Sequence, residues 1–398
     1  SIYLIRKAMP LSRRNLLTLL LTAAIPGLPA AVCAQLPDPA LRKTESSEDT
    51  SYPAMPEVQA YIEETAAATQ LPKSFIEDVL AQATYSARVE QLMTPKPRKP
   101  NAPKTAVRGD WRVYQHRMVG KSRIEKGSEF LEENDEAFGK AEDRYGIPRD
   151  IVASIIGVET VYGRNQGSFR VLDSLCTLTF DYKRRADYFR TELTEFLLLL
   201  REQHLDPATV YGSFAGAIGM GQFMPSSVRK YAVDFDGDGQ IDLVGSSADA
   251  IGSVANYLAS HGWVRGLPPF FSCTPDSDAD MRLVTGGIAT DTTFDHALRA
   301  GFIPDFELNI PGDEPLMIVD LPYRDQDGKQ ATEYRLGTRN FQTILNYNHS
   351  YFYASAVSDL AEEIETISMD SAAASMASGS ASSRSEERRV GKECRSRW

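Results

Sequence analysis

Residues 148–163 read PRDIVASIIGVETVYG, an almost unbroken apolar run with one carboxylate near its end. Ile151, Ile155 and Val158 recur at helical spacing, and Pro148 and Gly163 suit the two ends of a helix. The spacing therefore predicts a helix whose last turn holds Glu159. There the negative end of the helix dipole and the surrounding Ile and Val side chains both disfavour an ionised carboxyl and raise its pKa. Acting as an acid at neutral pH demands a rise of about two units, worth about 2.7 kcal/mol. The competing reading of Glu159 alone is a surface glutamate on the polar face of an amphipathic helix.

Further helical periodicity runs from Val58 to Thr65, from Phe75 to Leu80 after a Leu71-Pro72 break, from Ile124 to Tyr145, from Tyr188 to Glu202 and around Tyr353 to Ile364. The first helix is expected to start at Pro56. Residues 279–336 differ: short runs such as Leu316–Val319 and Glu333–Leu336 flank Asp327-Gly328, a hairpin turn signal. The fold class is thus α+β and mainly helical, with a small β-rich subdomain interrupting the helical part. Thr94 to Lys104 is rich in Pro and Lys and reads as an extended connection.

Of 398 residues, 42% are hydrophobic and 24% charged, the composition of a globular protein, and the formal charge is -11. That balance argues against a nucleic-acid partner, which is held by clustered Lys and Arg. Residues 1–8 precede Met9, the first candidate initiator, and Arg13-Arg14 then lead a short apolar run from Leu16 to Leu28. This is an export signal, twin-arginine or general secretory, with a cut expected after Ala34. Removing residues 1–34 takes away four basic residues and no acid, so the charge moves from -11 to -15. Export predicts a periplasmic protein; lipid anchoring through Cys33 is the weaker alternative because Val32 fits poorly before an acylated cysteine. Residues 371–398 turn from Ser and Ala to Arg-rich without apolar periodicity and are left out of the fold prediction. Cys176 and Cys273 remain as either a disulfide pair or two separate buried thiols.

A second segment, Tyr211 to Ser227, places glycines at 212, 216, 219 and 221 beside aromatic and hydrogen-bonding residues. Such glycines let backbone approach a ligand or another element closely. GVETVYG at 157–163 together with GSFAGAIGMGQFMPSS at 212–227 resembles the lytic murein transglycosylase B family. The similarity continues through YKRRADYF, AIGSVANYLASHGW and ILNYNHSYFY, in the family's order, over most of residues 56–365.

That resemblance implies a lysozyme-like core with added helical and β subdomains. The corresponding division is an export signal at 1–34, a linker at 35–55, a helical subdomain at 56–140, the catalytic core with a calcium loop at 141–278, the β-rich subdomain at 279–336, a return to the core at 337–370 and a tail at 371–398. It implies cleavage of peptidoglycan glycan strands between N-acetylmuramic acid and N-acetylglucosamine, leaving a 1,6-anhydromuramoyl end. The family's catalytic glutamate falls on Glu159. Its sugar-binding positions fall on Tyr114, Arg184, Arg185, Tyr188, Ser213, Gln222, Tyr257, Tyr347, Asn348 and Tyr353. Tyrosines offer flat apolar faces plus hydroxyls, and arginines can grip a carboxylate. Each tyrosine taken singly is as well explained as a core residue. Paired-carboxylate glycosidases need a second acid, and no second carboxylate carries a comparable motif, which fits attack by the substrate's own C6 hydroxyl. A hydrolytic muramidase and a non-catalytic peptidoglycan-binding protein are the rival readings. A monomer is expected, with cell-wall enzyme complexes as possible partners.

Asp234-Phe-Asp236-Gly-Asp238-Gly239-Gln240-Ile241 has acidic oxygens at loop positions one, three and five, glycine at six and an apolar residue at eight, an EF-hand-like start for structural Ca2+. Position twelve is Gly245 instead of the bidentate Glu. The resembling family closes a lengthened loop with a later acid, which implies Asp249 here, just before a helix expected over Ala250 to Ala259. Gln240 would ligate through its backbone carbonyl. The competing reading is an Asp/Gly turn with Asp249 as a helix N-cap.

Overall fold

The computed structural model describes residues 52–95 and 109–368. The export signal, nearly all of the proposed linker, most of the Pro- and Lys-rich connection, Cys33 and the tail with Cys394 lie outside the described residues. Ordered structure begins earlier than the periodicity indicated. A short 3-10 turn at Tyr52–Ala54 buries Tyr52, whose hydroxyl donates to Asp181 at 2.7 Å, so residues 52–55 belong to the body and not to a linker.

Helices carry the fold in chain order: α1 (Pro56–Thr69), α2 (Lys73–Leu80), α3 (Ala87–Met93), α4 (Trp111–Met118), α5 (Lys121–Glu133), α6 (Asp135–Tyr145), α7 (Arg149–Thr160), α8 (Val171–Cys176), α9 (Ala186–Glu202), α10 (Pro225–Tyr231), α11 (Ser247–Ser260), α12 (Phe294–Arg299), α13 (Arg339–Tyr347) and α14 over 351–368. The run expected from Ile124 to Tyr145 is split at Asn134, which separates α5 from α6.

The central helix is α7, buried from Ile151 through Val158. It stops at Thr160 and not at Gly163, because Val161 and Tyr162 both take left-handed backbone conformations, with φ of 53° and 57°. That turn folds the Tyr162 ring back against the helix, where a Cβ on Gly157 would lie 2.5 Å from it. Glycine in mid-helix lowers helix propensity, and here it makes room for a ring.

A two-stranded pairing joins β1 (Phe169–Arg170) to β2 (Tyr211–Gly212). The larger sheet is antiparallel, with β3 (Phe270–Pro275), β4 (Thr292–Thr293), β5 (Phe302–Pro304), β6 (Pro315–Arg324) and β7 (Gln330–Gly337) in the order β4-β6-β7-β3-β5. It starts at Phe270, before the segment read as β-rich, since β3 has neither clean alternation nor a nearby hairpin partner. The β6–β7 hairpin closes as its turn residues indicated: Asp325 Oδ1 accepts from the amides of Asp327 and Lys329, and Gly328 takes φ 75°.

Alternation along β6 serves two cores. Leu316 and Ile318 pack with Cys273, Phe294, Ala297, Phe302 and Leu336 in a small cluster, whereas Met317, Val319 and Leu321 join the main helical core. Cys176 and Cys273 are both buried free thiols, one in each cluster. Across the seam, Arg335 on β7 is 4% exposed; it pairs with Asp359 on α14 and with Glu333, and Gln115 on α4 donates to the same Asp359 at 2.6 Å. Among the described residues no helix is long and apolar enough to cross a membrane.

Candidate active site

Glu159 sits in the last turn of α7, half-buried, with the glycine run directly beside it. Thr160 makes that junction. Its hydroxyl donates to the Met220 carbonyl at 2.8 Å and accepts from the Gly163 amide at 2.9 Å, so the end of α7 and the 219–222 turn are fixed to one another. Within the run, Ser213 N donates to Ala217 O and Ile218 N to Phe223 O, folding 212–223 into tight successive turns. Gly219 has φ 74°, and a Cβ there would lie 2.5 Å from Leu243 O; Met220 N donates to that same carbonyl at 2.9 Å. The turn that presents Gln222 is thus laced to the acidic loop that follows.

Three tyrosines from different elements surround Glu159: Tyr114 on α4, Tyr347 on α13 and Tyr353 on α14, each with its phenol raised first by burial and further by the Glu159 charge. The Glu159 carboxyl itself is pushed up to about 7 by burial, with the Tyr353 hydroxyl pulling in the opposite direction. That contact is looser than an ordinary hydrogen bond. The Tyr347 and Tyr353 rings stack at 6.5 Å with 10° between planes, and Tyr347 donates to the Gly221 carbonyl. A carboxyl with this pKa is present in both protonation states at neutral pH, which suits alternate donation and acceptance of one proton.

Beside Tyr347 opens a cavity of about 500 Å³, its mouth included, into which Tyr188, Gln222, Tyr257 and Tyr347 all project. Four of the expected sugar-binding residues thus share one wall, and Tyr114 and Tyr353 join Tyr347 around Glu159. Arg185, at the start of α9 with φ 62°, lays its guanidinium over the Tyr188 ring at 4.5 Å. The remaining positions are less directly placed. Arg184 is exposed. The Ser213 hydroxyl accepts from the Ala217 amide at 3.0 Å, a bond internal to the turn. Asn348 ends α13 and is not among the residues lining the cavity, where Asn346 stands instead. Tyr257 is 6% exposed and its hydroxyl donates to Asn346 O at 2.7 Å, so it offers the cavity a ring edge more than a polar group.

Sequence reasoning missed Glu192. It is the one carboxylate among the residues lining this cavity, 4% exposed, with its oxygens accepting from Ser226 N at 3.0 Å and Ser226 Oγ at 2.7 Å. Burial raises its pKa against those two bonds. The one available signal was its place one helical turn after Tyr188 on α9.

The acidic loop draws carboxylate oxygens of Asp234, Asp236 and Asp249 to within 4.8 Å of one another. Asp249 is 1% exposed and already accepts from the amides of Phe235 and Asp242, at 2.7 and 2.8 Å. It is not the helix cap: α11 begins at Ser247, three residues before the expected start, and Ser246 caps it by accepting from Asp249 N. Asp238 lies outside the three-carboxylate cluster and accepts from Gln240 N at 2.8 Å. From α6, Lys140 donates to the Phe235 carbonyl.

Comparison with known proteins places this geometry. Residues 54–362 match the family model described as the transglycosylase SLT domain. The membrane-bound lytic murein transglycosylase B of Escherichia coli K12 is 36% identical over 310 residues, spanning 78% of this chain and 82% of that protein. Among solved structures, catenated lytic transglycosylase SltB1 from Pseudomonas aeruginosa superposes with a TM-score of 0.72 at 37% identity, covering 80% of this chain and 99% of that one. The Escherichia coli lytic transglycosylase Slt35 in complex with calcium gives a TM-score of 0.66 at 35% identity, covering 79% and 94%.

Proposed function

The chain belongs to the transglycosylase SLT domain family, and on that premise we propose that it is a lytic murein transglycosylase in which Glu159 is the single acid/base. The observation that carries the residue assignment is a half-buried carboxyl, raised to about 7, at the end of α7 amid three tyrosines. In its protonated form Glu159 gives its proton to the glycosidic oxygen between N-acetylmuramic acid and N-acetylglucosamine as that bond breaks. The carboxylate left behind accepts the proton of the C6 hydroxyl as that oxygen closes on C1, forming the 1,6-anhydromuramoyl end and restoring the acid. One group serves both steps because the proton it loses in the first is replaced in the second. Tyr188, Gln222 and Tyr347 line the adjoining saccharide site, with Arg185 stacked on Tyr188.

A hydrolase on this scaffold would use a second carboxylate to place water. Glu192 has both oxygens engaged by Ser226, an arrangement that supports a fixed acceptor over a base working on water. Mass spectrometry of soluble products from purified peptidoglycan tests the reading. Anhydromuramoyl ends, lighter by one water than reducing ends, are expected; reducing muramic ends would move the assignment to a muramidase.

The cluster of Asp234, Asp236 and Asp249 fits a hard cation by donor type and spacing, and we assign it as a structural calcium site. Asp238 and the Gln240 carbonyl would complete the shell. The ion would stiffen the loop that Gly219 and Met220 touch, with no part in bond breaking. The N-terminal signal supports a periplasmic location, where the substrate lies.

A further inference from the structure

Three donors of the cavity wall, on Gln222, Tyr257 and Tyr347, are turned inward. Gln222 Nε2 donates to Gln166 O and Gly219 O, at 3.2 and 2.9 Å, and the Tyr257 hydroxyl to Asn346 O. Against this stands Glu192, an acceptor whose carboxylate no cation among the described residues pairs. Arg229, one turn beyond Ser226 on α10, binds Glu195 and Glu202 instead. A buried carboxylate is a costly way to hold Ser226, since a glutamine could accept from its amide and donate to its hydroxyl with less desolvation. What the carboxylate adds is acceptor capacity: two oxygens carry about four lone-pair sites, and Ser226 uses two.

From this geometry we propose that Glu192 is a substrate-contacting residue, accepting a hydroxyl or acetamido N–H from a neutral N-acetylglucosamine-type ring seated between Tyr188 and Gln222. The occupant must bring a donor to Glu192, because a carboxylate only accepts, and must lack a carboxylate there, because Glu192 would repel one. The Tyr188 ring, capped on one side by Arg185, gives the sugar an apolar surface. The assignment rests on the transglycosylase reading of the cleft and extends it to which sugar sits where.

Isothermal titration of the full chain with the neutral trimer of N-acetylglucosamine tests it, alongside thermal melts. Glu192→Gln keeps the shape: its single oxygen still accepts from Ser226 N, and Ser226 Oγ turns to accept from the new Nε2. It is expected to weaken trimer binding about tenfold while leaving the melting temperature unchanged or higher. Ser226→Ala loosens Glu192 without removing the acceptor and should stay within about threefold of wild type. Affinity of E192Q within twofold of wild type would overturn the proposal, as would an equal loss in S226A, which would make Glu192 a strut for the 222–227 segment. A wild type that does not bind the trimer overturns it too. Wild type that binds the trimer but releases nothing from peptidoglycan fails the transglycosylase reading alone, and the contact to Glu192 stands.

Discussion

At the scale of single residues the chemistry depends on the energy of one proton. Glu159→Gln should abolish product release while leaving glycan binding, and a fully active variant would remove Glu159 from the mechanism. Because the wild-type carboxyl is raised to about 7, kcat/KM should fall on the basic side with a midpoint near pH 7 as the proton donor is lost. The same shift has a stability sign. Asp150, in the first turn of α7, is also pushed to about 7, mainly by burial with Glu365 and Glu142 nearby. For both groups the folded pKa lies above the unfolded one, so their contribution is full below about pH 4 and is lost as pH rises through about 7. Melts of E159Q and D150N should therefore exceed wild type at pH 8 and converge with it toward pH 4; equal melting temperatures at pH 8 would show that burial does not strain these carboxyls. Glu159 was singled out by its place in a run of Ile and Val together with the family motif around it; the acid alone read equally well as a surface glutamate. Glu192 was not singled out, since what defines it is Ser226, 34 residues away.

At the scale of elements, two joints set the cleft. Gly157 admits the Tyr162 ring, and Gly157→Ala should destabilise by about 1–3 kcal/mol through overpacking, read as a lower denaturation midpoint. The second joint is Arg335, which links β7 to α14 and, through the shared Asp359, to α4, the helices that bear Tyr353 and Tyr114. Arg335→Met leaves Asp359 without its cation and Glu333 with Arg112 alone, and should cost about 3–5 kcal/mol, measured by urea unfolding; a loss under about 1 kcal/mol would mean that solvent already screens the cluster. Periodicity and breakers located α1, α2, α5, α6, α7, α9, α11 and α14, yet helix ends and the short helices α3, α4, α8, α10, α12 and α13 escaped them. Residues 161 and 162 are Val and Tyr, poor candidates for a left-handed turn, and it is tertiary contacts that explain the choice: the Tyr162 ring against Gly157 and Phe130, and its hydroxyl donating to Arg123 O. Strand β3 was hidden for a related reason: Phe271 pairs with Leu336, far along the chain.

At the scale of the molecule, the acidic loop and the sheet each brace the cleft, the loop through Leu243 O on the 219–220 turn and the sheet through Arg335 on Asp359. Chelating calcium should lower the melting temperature, and Asp249→Asn should lower it even in chelator, because Asp249 also holds the Phe235 and Asp242 amides. No change across a chelator titration would reject the loop as a metal site. The sheet leaves and re-enters the body at one point, where Thr338 Oγ1 donates to Pro268 O at 2.7 Å and Thr338 N to Pro269 O at 2.9 Å. Its ends could be spliced with hardly any linker, which invites trimming the enzyme to a minimal catalyst. Yet Met317, Val319 and Leu321 are wall material for the other compartment. The sheet is removable in topology but not in substance, and a chain shortened there would come out of the cell as an aggregate.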